Sequence, residues 1–412
     1  GFGQGRPSVR GSFDVRELFI EALVPIVQDT PGARDLSLEL GYRYSDYSTS
    51  GGFNTYKGLL NWAVTDSWRL RGGYNRAVRS PNIWELFRPQ DWIAAGGDIC
   101  ANDPDTGVPE GTLEECLRTG MTEDQYGTIP PYGGVDAIAG GNPLLEPEVA
   151  DTVTAGIVWT PQRITGLSDT ADYYDIDISD VIFQAGAGTI ILMCATTGDP
   201  VQCGRIQRDE LGSLFLLEDA LVDDTDQNFQ LLSAEGIDLN ANYLIGLGNA
   251  GYLNTNLVGS YTLANVIEDP LIGFDCAGYF GPWCGQPNPR WRHRLRATWE
   301  TNFNLSLSLA WRRVGSSEHS AASPDPDIAD PDYLEIAEIN DIDTLPAYDW
   351  FDIAASYTWR KGIQLTVGVN NIFDQEPPLM PGLAVWPGTF FNLYGNYDPL
   401  GRYIFANLQF AF

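Results

Sequence analysis

Polar and apolar residues alternate with a period of two over long stretches of this chain. Leu36, Leu38, Leu40, Tyr42 and Tyr44 share one face, and Ser37, Glu39, Gly41, Arg43 and Ser45 share the other. The order returns in Phe303, Leu305, Leu307, Leu309 and Trp311 against Asn302, Asn304, Ser306 and Ser308. It returns at 351–359, at 363–369 and at 172–182, where Tyr174, Ile176, Ile178 and Ile182 oppose Asp175, Asp177 and Ser179. Successive Cβ atoms of a strand point to opposite faces, so this spacing predicts strands. About thirteen are expected, near 14–27, 34–48, 53–65, 67–79, 148–160, 170–183, 233–246, 250–264, 290–301, 303–315, 347–360, 362–375 and 400–412.

The connections alternate too. Tight turns fall at 65–67, 246–250, 300–302 and 360–362, and long excursions at 80–146, 184–232, 265–289, 316–346 and 375–399. The link at 49–52 is the one short member of the long series. A sandwich has no reason to gather its long loops at one end, whereas an outer-membrane barrel has short periplasmic turns and long external loops. The expected fold is therefore all-β: a transmembrane antiparallel β-barrel. Apolar faces would meet lipid and polar faces would line a wet lumen. A sheet with one solvated face shows the same alternation, but thirteen strands would then need a second layer to bury against. No run of about 18–20 apolar residues occurs, so no helix is expected to cross a membrane.

Composition narrows the partners. With 24 Lys+Arg against 55 Asp+Glu the formal net charge is −31, which argues against nucleic acid. Six cysteines fall as three close pairs, Cys100 with Cys116, Cys194 with Cys203 and Cys276 with Cys284, all in long loops. Six cysteines allow 15 pairings, and proximity favours these three. There is no CxxC spacing and there are two histidines, so the pattern reads as loop stapling in an oxidising compartment rather than a metal site. No GxSxG elbow, HExxH or P-loop is present, and no enzyme chemistry is expected.

The last strand reads GRYIFANLQFAF and alternates down to Phe410 and the terminal Phe412. It resembles the strand by which assembly machinery identifies outer-membrane barrels. Together with VRELFIEALVPIV at 15–27, RAVRSPNIWELFRP at 76–89, GNPLLEPEVADTVTAGIVWTP at 141–161, residues 172–182 and VNNIFDQEPP at 369–378, it resembles the C-terminal part of a TonB-dependent outer-membrane receptor. That resemblance implies a plugged barrel of about 22 strands. This chain would supply roughly the last thirteen, from 1 to 412, with the plug and early strands carried by the same precursor or a second polypeptide. It implies the outer membrane of a Gram-negative bacterium, contact with lipopolysaccharide, and TonB as partner through the plug. The implied function is uptake of a scarce solute: siderophore, cobalamin, glycan or peptide. A passive pore, or an adhesive barrel binding a surface macromolecule, are the rival readings.

Arg290, Arg292, Arg294 and Arg296 occupy alternate positions of one expected strand, with Trp291, Leu295, Ala297 and Trp299 on its other face. The column could guide an anionic ligand, or pair with Asp238, Glu300 or plug carboxylates. Trp84, Trp92, Tyr279, Trp283 and Trp386 lie in the external loops, where rings stack on ligands or anchor loops to one another. Ten acidic residues lie between Glu318 and Asp349, so the 316–346 loop could bind Ca²⁺, although no EF-hand order is present. A solvated acidic loop is the plainer reading, and no other cofactor is expected.

Overall fold

The chain's structure is a computed structural model describing residues 8–131, 134–215, 219–269, 271–281, 283–326, 328–330, 334, 343–360, 362–378, 397–398 and 400–410, apart from the side chains of Ala95 and Arg360. Thirteen long strands form one meander: β1 (Val15–Thr30), β2 (Ala33–Tyr47), β3 (Gly51–Ala63), β4 (Trp68–Arg79), β5 (Glu148–Trp159), β6 (Leu167–Phe183), β7 (Gln227–Gly246), β8 (Tyr252–Glu268), β9 (Trp291–Glu300), β10 (Leu305–Val314), β11 (Tyr348–Arg360), β12 (Ile363–Asn370) and β13 (Tyr403–Phe410). Every neighbour is sequential and antiparallel. Strand positions therefore follow the periodicity closely. β7 begins six residues earlier than its alternation suggested, and 411–412, including Phe412, lie outside the described residues.

Which face is concave follows from the recesses. One recess of about 570 Å³ collects Arg71 of β4, Asp172 of β6, Asp238 of β7, Arg292 and Arg294 of β9 and Arg312 of β10. A second, of about 580 Å³, joins Glu39, Asn61, Arg71, Asp172 and Asp238. Only the inside of a curved wall brings side chains of seven consecutive strands into one space. On the opposite face stand Leu18, Ile20, Leu309, Ile353, Leu365 and Leu408, each substantially exposed, as a lipid-facing band requires. Aromatic residues bound that band. Near the short turns, Trp68 stacks on Trp159 at 5.6 Å, and the indoles of Trp62 and Trp299 donate to Gly32 O and Ala250 O. Toward the long loops, Tyr42 donates to Asn54 and Trp311 stacks on Phe351.

One face assignment reverses. The expectation that apolar residues at 172–182 meet lipid fails for β6. Its register with β5 and β7 places Tyr174, Ile176 and Ile178 on the lumenal side, and Asp175 and Asp177 outside with Asp151 and Glu235. Arg71 and Asp172 pair inside, directly over Gly156, where a Cβ would strike the Asp172 carboxylate. Tyr174 similarly lies over Gly236. Asp177 opposes Asp151 in the register, beside the outward ion pair Arg76–Asp151.

The two longest loops are not separate. Asp91–Ala95 and Val135–Gly140 from the first pair with each other, and Leu221–Thr225 from the second runs parallel to Val135–Gly140. Helices α1 (Ile83–Phe87) and α2 (Leu113–Arg118) come from the first loop, and α3 (Ala187–Thr197) from the second. Ile190 and Ile191 of α3 pack on Val135, Ala137, Leu214 and Val222 in a closed apolar core. The three cysteine pairs form as expected, Cys100–Cys116, Cys194–Cys203 and Cys276–Cys284. The first two staple this joint external cap.

Candidate functional site

The concave wall carries its charges in two styles. On β1 to β3, Lys57 lies 3.1 Å from Glu21 and 2.7 Å from Glu39, and Arg43 lies 3.8 Å from Glu17. Farther round, Arg71 Nε donates to Asp172 at 2.7 Å, and Arg312 reaches Asp352 at 3.0 Å and Asp398 at 2.9 Å. Each of these four cations has a carboxylate, and Lys57 and Arg312 have two; Arg69 of β4, at the second recess, instead donates to Asn61 Oδ1 at 3.1 Å.

Strand β9 is different. Arg292, Arg294 and Arg296 project into the lumen, because register with β8 opposes them to Ser260, Val258 and Asn256. On the other side they meet Val314, Arg312 and Ala310. Arg296 donates to the Ser308 hydroxyl at 2.6 Å. Among the described residues none of the three has a carboxylate within 4.0 Å, and neither Asp238 nor Glu300 forms a salt bridge with them. Glu300 instead accepts from Ser306 at 2.8 Å. Arg290 is set apart: it precedes the strand, donates to Leu263 O at 2.8 Å and lies 3.7 Å from Asp275. The column of four is a lumenal column of three.

The aromatic candidates do not converge with these arginines. Trp84 is exposed on α1 with Arg88 stacked 5.9 Å from its ring centre, and Trp92 is exposed on the cap sheet. Tyr279 and Trp283 sit by the Cys276–Cys284 staple, where Trp283 meets Phe274 edge-on at 6.1 Å. None of these four lines either lumenal recess. Trp386 lies outside the described residues, as do 327, 331–333 and 335–342 of the acidic 316–346 loop. Among the described residues no group of three His, Cys, Asp or Glu could hold a metal.

Sequence reasoning passed over Arg71, Asp172, Arg312 and Trp350, which complete the recess of about 570 Å³. Trp350 is buried, with the Arg312 guanidinium 5.6 Å from its ring centre. A parity signal for it existed, since Phe351 and Ile353 on the lipid side place 350 and 352 inside.

In the cap, charge is held differently. Arg208 and Asp98 are 2% and 6% exposed and 2.7 Å apart, with Arg208 also donating to Thr119 and Gly212 O. Burial raises the Asp224 carboxyl above its ordinary value, although Gln184 and the Gly186 N–H donate to it. Burial likewise raises Asp226, which lies 2.9 Å from Arg88.

Residues 2–372 match the family described as TonB-dependent receptor-like β-barrel. Among solved structures, a variant of the ferric enterobactin receptor PfeA from Pseudomonas aeruginosa is similar with TM-score 0.60 and 16% identity, over 97% of this chain and 45% of that one. The siderophore receptor PirA from Acinetobacter baumannii gives TM-score 0.60 and 14% identity, over 97% and 46%. The FrpB iron transporter from Neisseria meningitidis gives 0.52 and 12%, over 97% and 44%. At such identities the likeness is one of fold. The chain spans about half the length of these proteins, 44–46%. No curated protein matches it.

Proposed function

Since this chain belongs to the TonB-dependent receptor β-barrel family and is a wall of an outer-membrane barrel, we propose that it forms the wall and external cap of an active transporter for a scarce solute. The observation that carries the reading is the single thirteen-strand meander with an apolar convex face and a charged concave one. Among the described residues β1 and β13 each have one neighbour. Unpaired strand edges cannot persist in lipid, where each orphaned backbone group costs several kcal/mol. This supports completion of the barrel by further strands and a plug, from the same precursor or a second polypeptide, with TonB acting through the plug. PfeA is described as a ferric enterobactin receptor, PirA as a siderophore receptor and FrpB as an iron transporter, which favours an iron chelate over cobalamin, glycan or peptide. Trp84, Trp92, Tyr279 and Trp283 are the proposed capture surface outside. The convex wall would contact lipopolysaccharide.

The test is uptake of a labelled ferric siderophore by cells expressing the full receptor, with TonB intact or inactivated. Uptake that stops when TonB is lost is expected. TonB-independent uptake, together with steady ion conductance of the purified protein in bilayers, would replace the reading with a passive pore.

A further inference from the structure

Four stretches of chain, 85–88, 140–142, 184–186 and 224–227, link β4, β5, β6 and β7 to the cap and meet at one seam. The Asn142 N–H donates to Glu85 O at 2.8 Å, the Gly141 N–H to Arg88 O at 3.0 Å and the Asp226 N–H to Gly140 O at 3.0 Å. Two carboxylates are shut inside this seam by the chain's own atoms, Asp224 at 1% exposure and Asp226 at 7%. Asp226 has a cation: Arg88 Nη2 donates to it at 2.9 Å and to Gln184 Oε1 at 3.3 Å. Asp224 has neutral donors, Gln184 Nε2 and the Gly186 N–H, each at 2.8 Å. The other charged groups facing the pair are Glu85, which Arg79 already holds, and Asp223 with Arg205 at 3.5 Å. Arg88 Nε, Gln202 Oε1 and Gln227 Nε2 are buried here without a hydrogen-bond partner. The seam is therefore less fully bonded than the apolar core around α3, and it is where cap and wall part most easily.

We infer that this seam is a proton-operated clamp, in which a proton taken up at Asp224 tightens the cap on the wall and its loss loosens it. The proton goes to Asp224 because Asp226 keeps Arg88, whereas an ionised Asp224 is a buried anion held by neutral groups alone. Burial, the largest influence on both carboxyls, raises each of them. A carboxyl raised in the closed seam binds its proton more tightly there than in an opened one. Its contribution to closure is whole below the ordinary value of about 3.9 and is lost as pH rises through the raised value. Acid outside the cell thus holds the cap closed, and a neutral medium frees it. The clamp needs only cap and wall, so it stands whatever solute the barrel passes.

The experiment is amide hydrogen exchange of the purified full receptor at pH 7 and pH 5, each rate being referred to the free-chain rate at that pH. Protection of segments 84–88, 140–142 and 224–227 rises roughly ten-fold toward pH 5, while that of β9 and β10 stays level. High KCl leaves the rise in place, because buried charges are screened far less than exposed ones. Asp224→Asn has no proton to gain there and shows the same protection at both pH values. Asp105→Asn, on an exposed turn of the same cap, keeps the wild-type rise. Wild-type protection that is level or falls toward pH 5, a rise that KCl abolishes, or an undiminished rise in Asp224→Asn overturns the inference. The first two outcomes decide it even where the variant's cap does not form.

Discussion

The external cap and the membrane wall place their apolar residues in opposite ways. In the cap, Ile190, Ile191, Leu214 and Val222 are shut away from solvent around α3. In the wall, Leu309, Ile353, Leu365 and Leu408 point outward and stay uncovered by protein. The same residue types serve both, so the difference lies in the solvent each surface meets. Charges divide likewise: the cap buries Arg208–Asp98 at 2% and 6% exposure, while the lumenal Arg71–Asp172 pair remains at 50% and 28%.

The largest way to break this contrast is to unpair the buried charge. Arg208→Met strands the Asp98 carboxylate in the cap interior and is expected to destabilise the cap by about 3–5 kcal/mol. Amide hydrogen exchange at Val135–Gly140 and Leu221–Thr225 would report it, while gel migration of the barrel stays unchanged. Arg71→Met in the wetter lumen is expected to lower stability by about 0–1 kcal/mol. Equal losses at both sites would show that the cap interior is no drier than the lumen.

Next in size is a charge on the lipid face. Leu309→Lys puts an ammonium in the apolar band and should weaken the folded barrel by about 2–4 kcal/mol, seen as less protein assembled into the membrane. Ser308→Lys, one residue away on the concave face, should assemble normally. The pair tests directly which face is outside.

Alternation makes the strands legible in the sequence, because a period of two is set by backbone geometry alone. It did not say which face of β6 was outside. Tyr174, Ile176 and Ile178 look like a lipid face, and only register with Gly156 and Gly236 turns them inward. The cap was illegible for another reason. Its strands are short, and one decisive pairing, Leu221–Thr225 on Val135–Gly140, is parallel and joins distant segments, leaving no periodic trace. The cysteine pairs were readable since their partners are only 16, 9 and 8 residues apart. The arginine column was readable, and the lack of counter-charges beside it was not, because side-chain partners come from register and loop placement.

A smaller effect comes from the staples. Cys100→Ser/Cys116→Ser opens a loop of 16 residues, for which lost chain restriction amounts to about 2–3 kcal/mol. The variant's cap should melt earlier than that of wild type under oxidising conditions, while reduction, which also opens Cys194–Cys203, should bring wild type below the oxidised variant. A matching loss in the wall would mean that cap and barrel unfold as one unit.

The smallest expected effect separates the cap's two kinds of carboxylate by pH. At the start of α2, Glu115 accepts from the Thr112 N–H at 2.7 Å and its hydroxyl at 2.8 Å, and these bonds hold its carboxyl below the ordinary value. A carboxyl lowered in the folded state contributes stability above its unfolded pKa of about 4.3, and that contribution fades as pH falls through the folded value. Glu115→Gln should therefore lower the cap melting temperature slightly at pH 7, with the gap to wild type closing under acid. Asp224 runs the other way: burial raises it, so the folded cap holds that proton more tightly and gains stability as pH falls through its folded value. Asp224→Asn should remove that gain and flatten the pH dependence, and it also loses one of the two bonds, because Asn offers a single acceptor oxygen where Gln184 Nε2 and the Gly186 N–H each have their own. Melting curves at pH 7, 5 and 3.5 decide the matter. A Glu115→Gln gap that widens in acid would mean the capping bond does not hold that carboxylate.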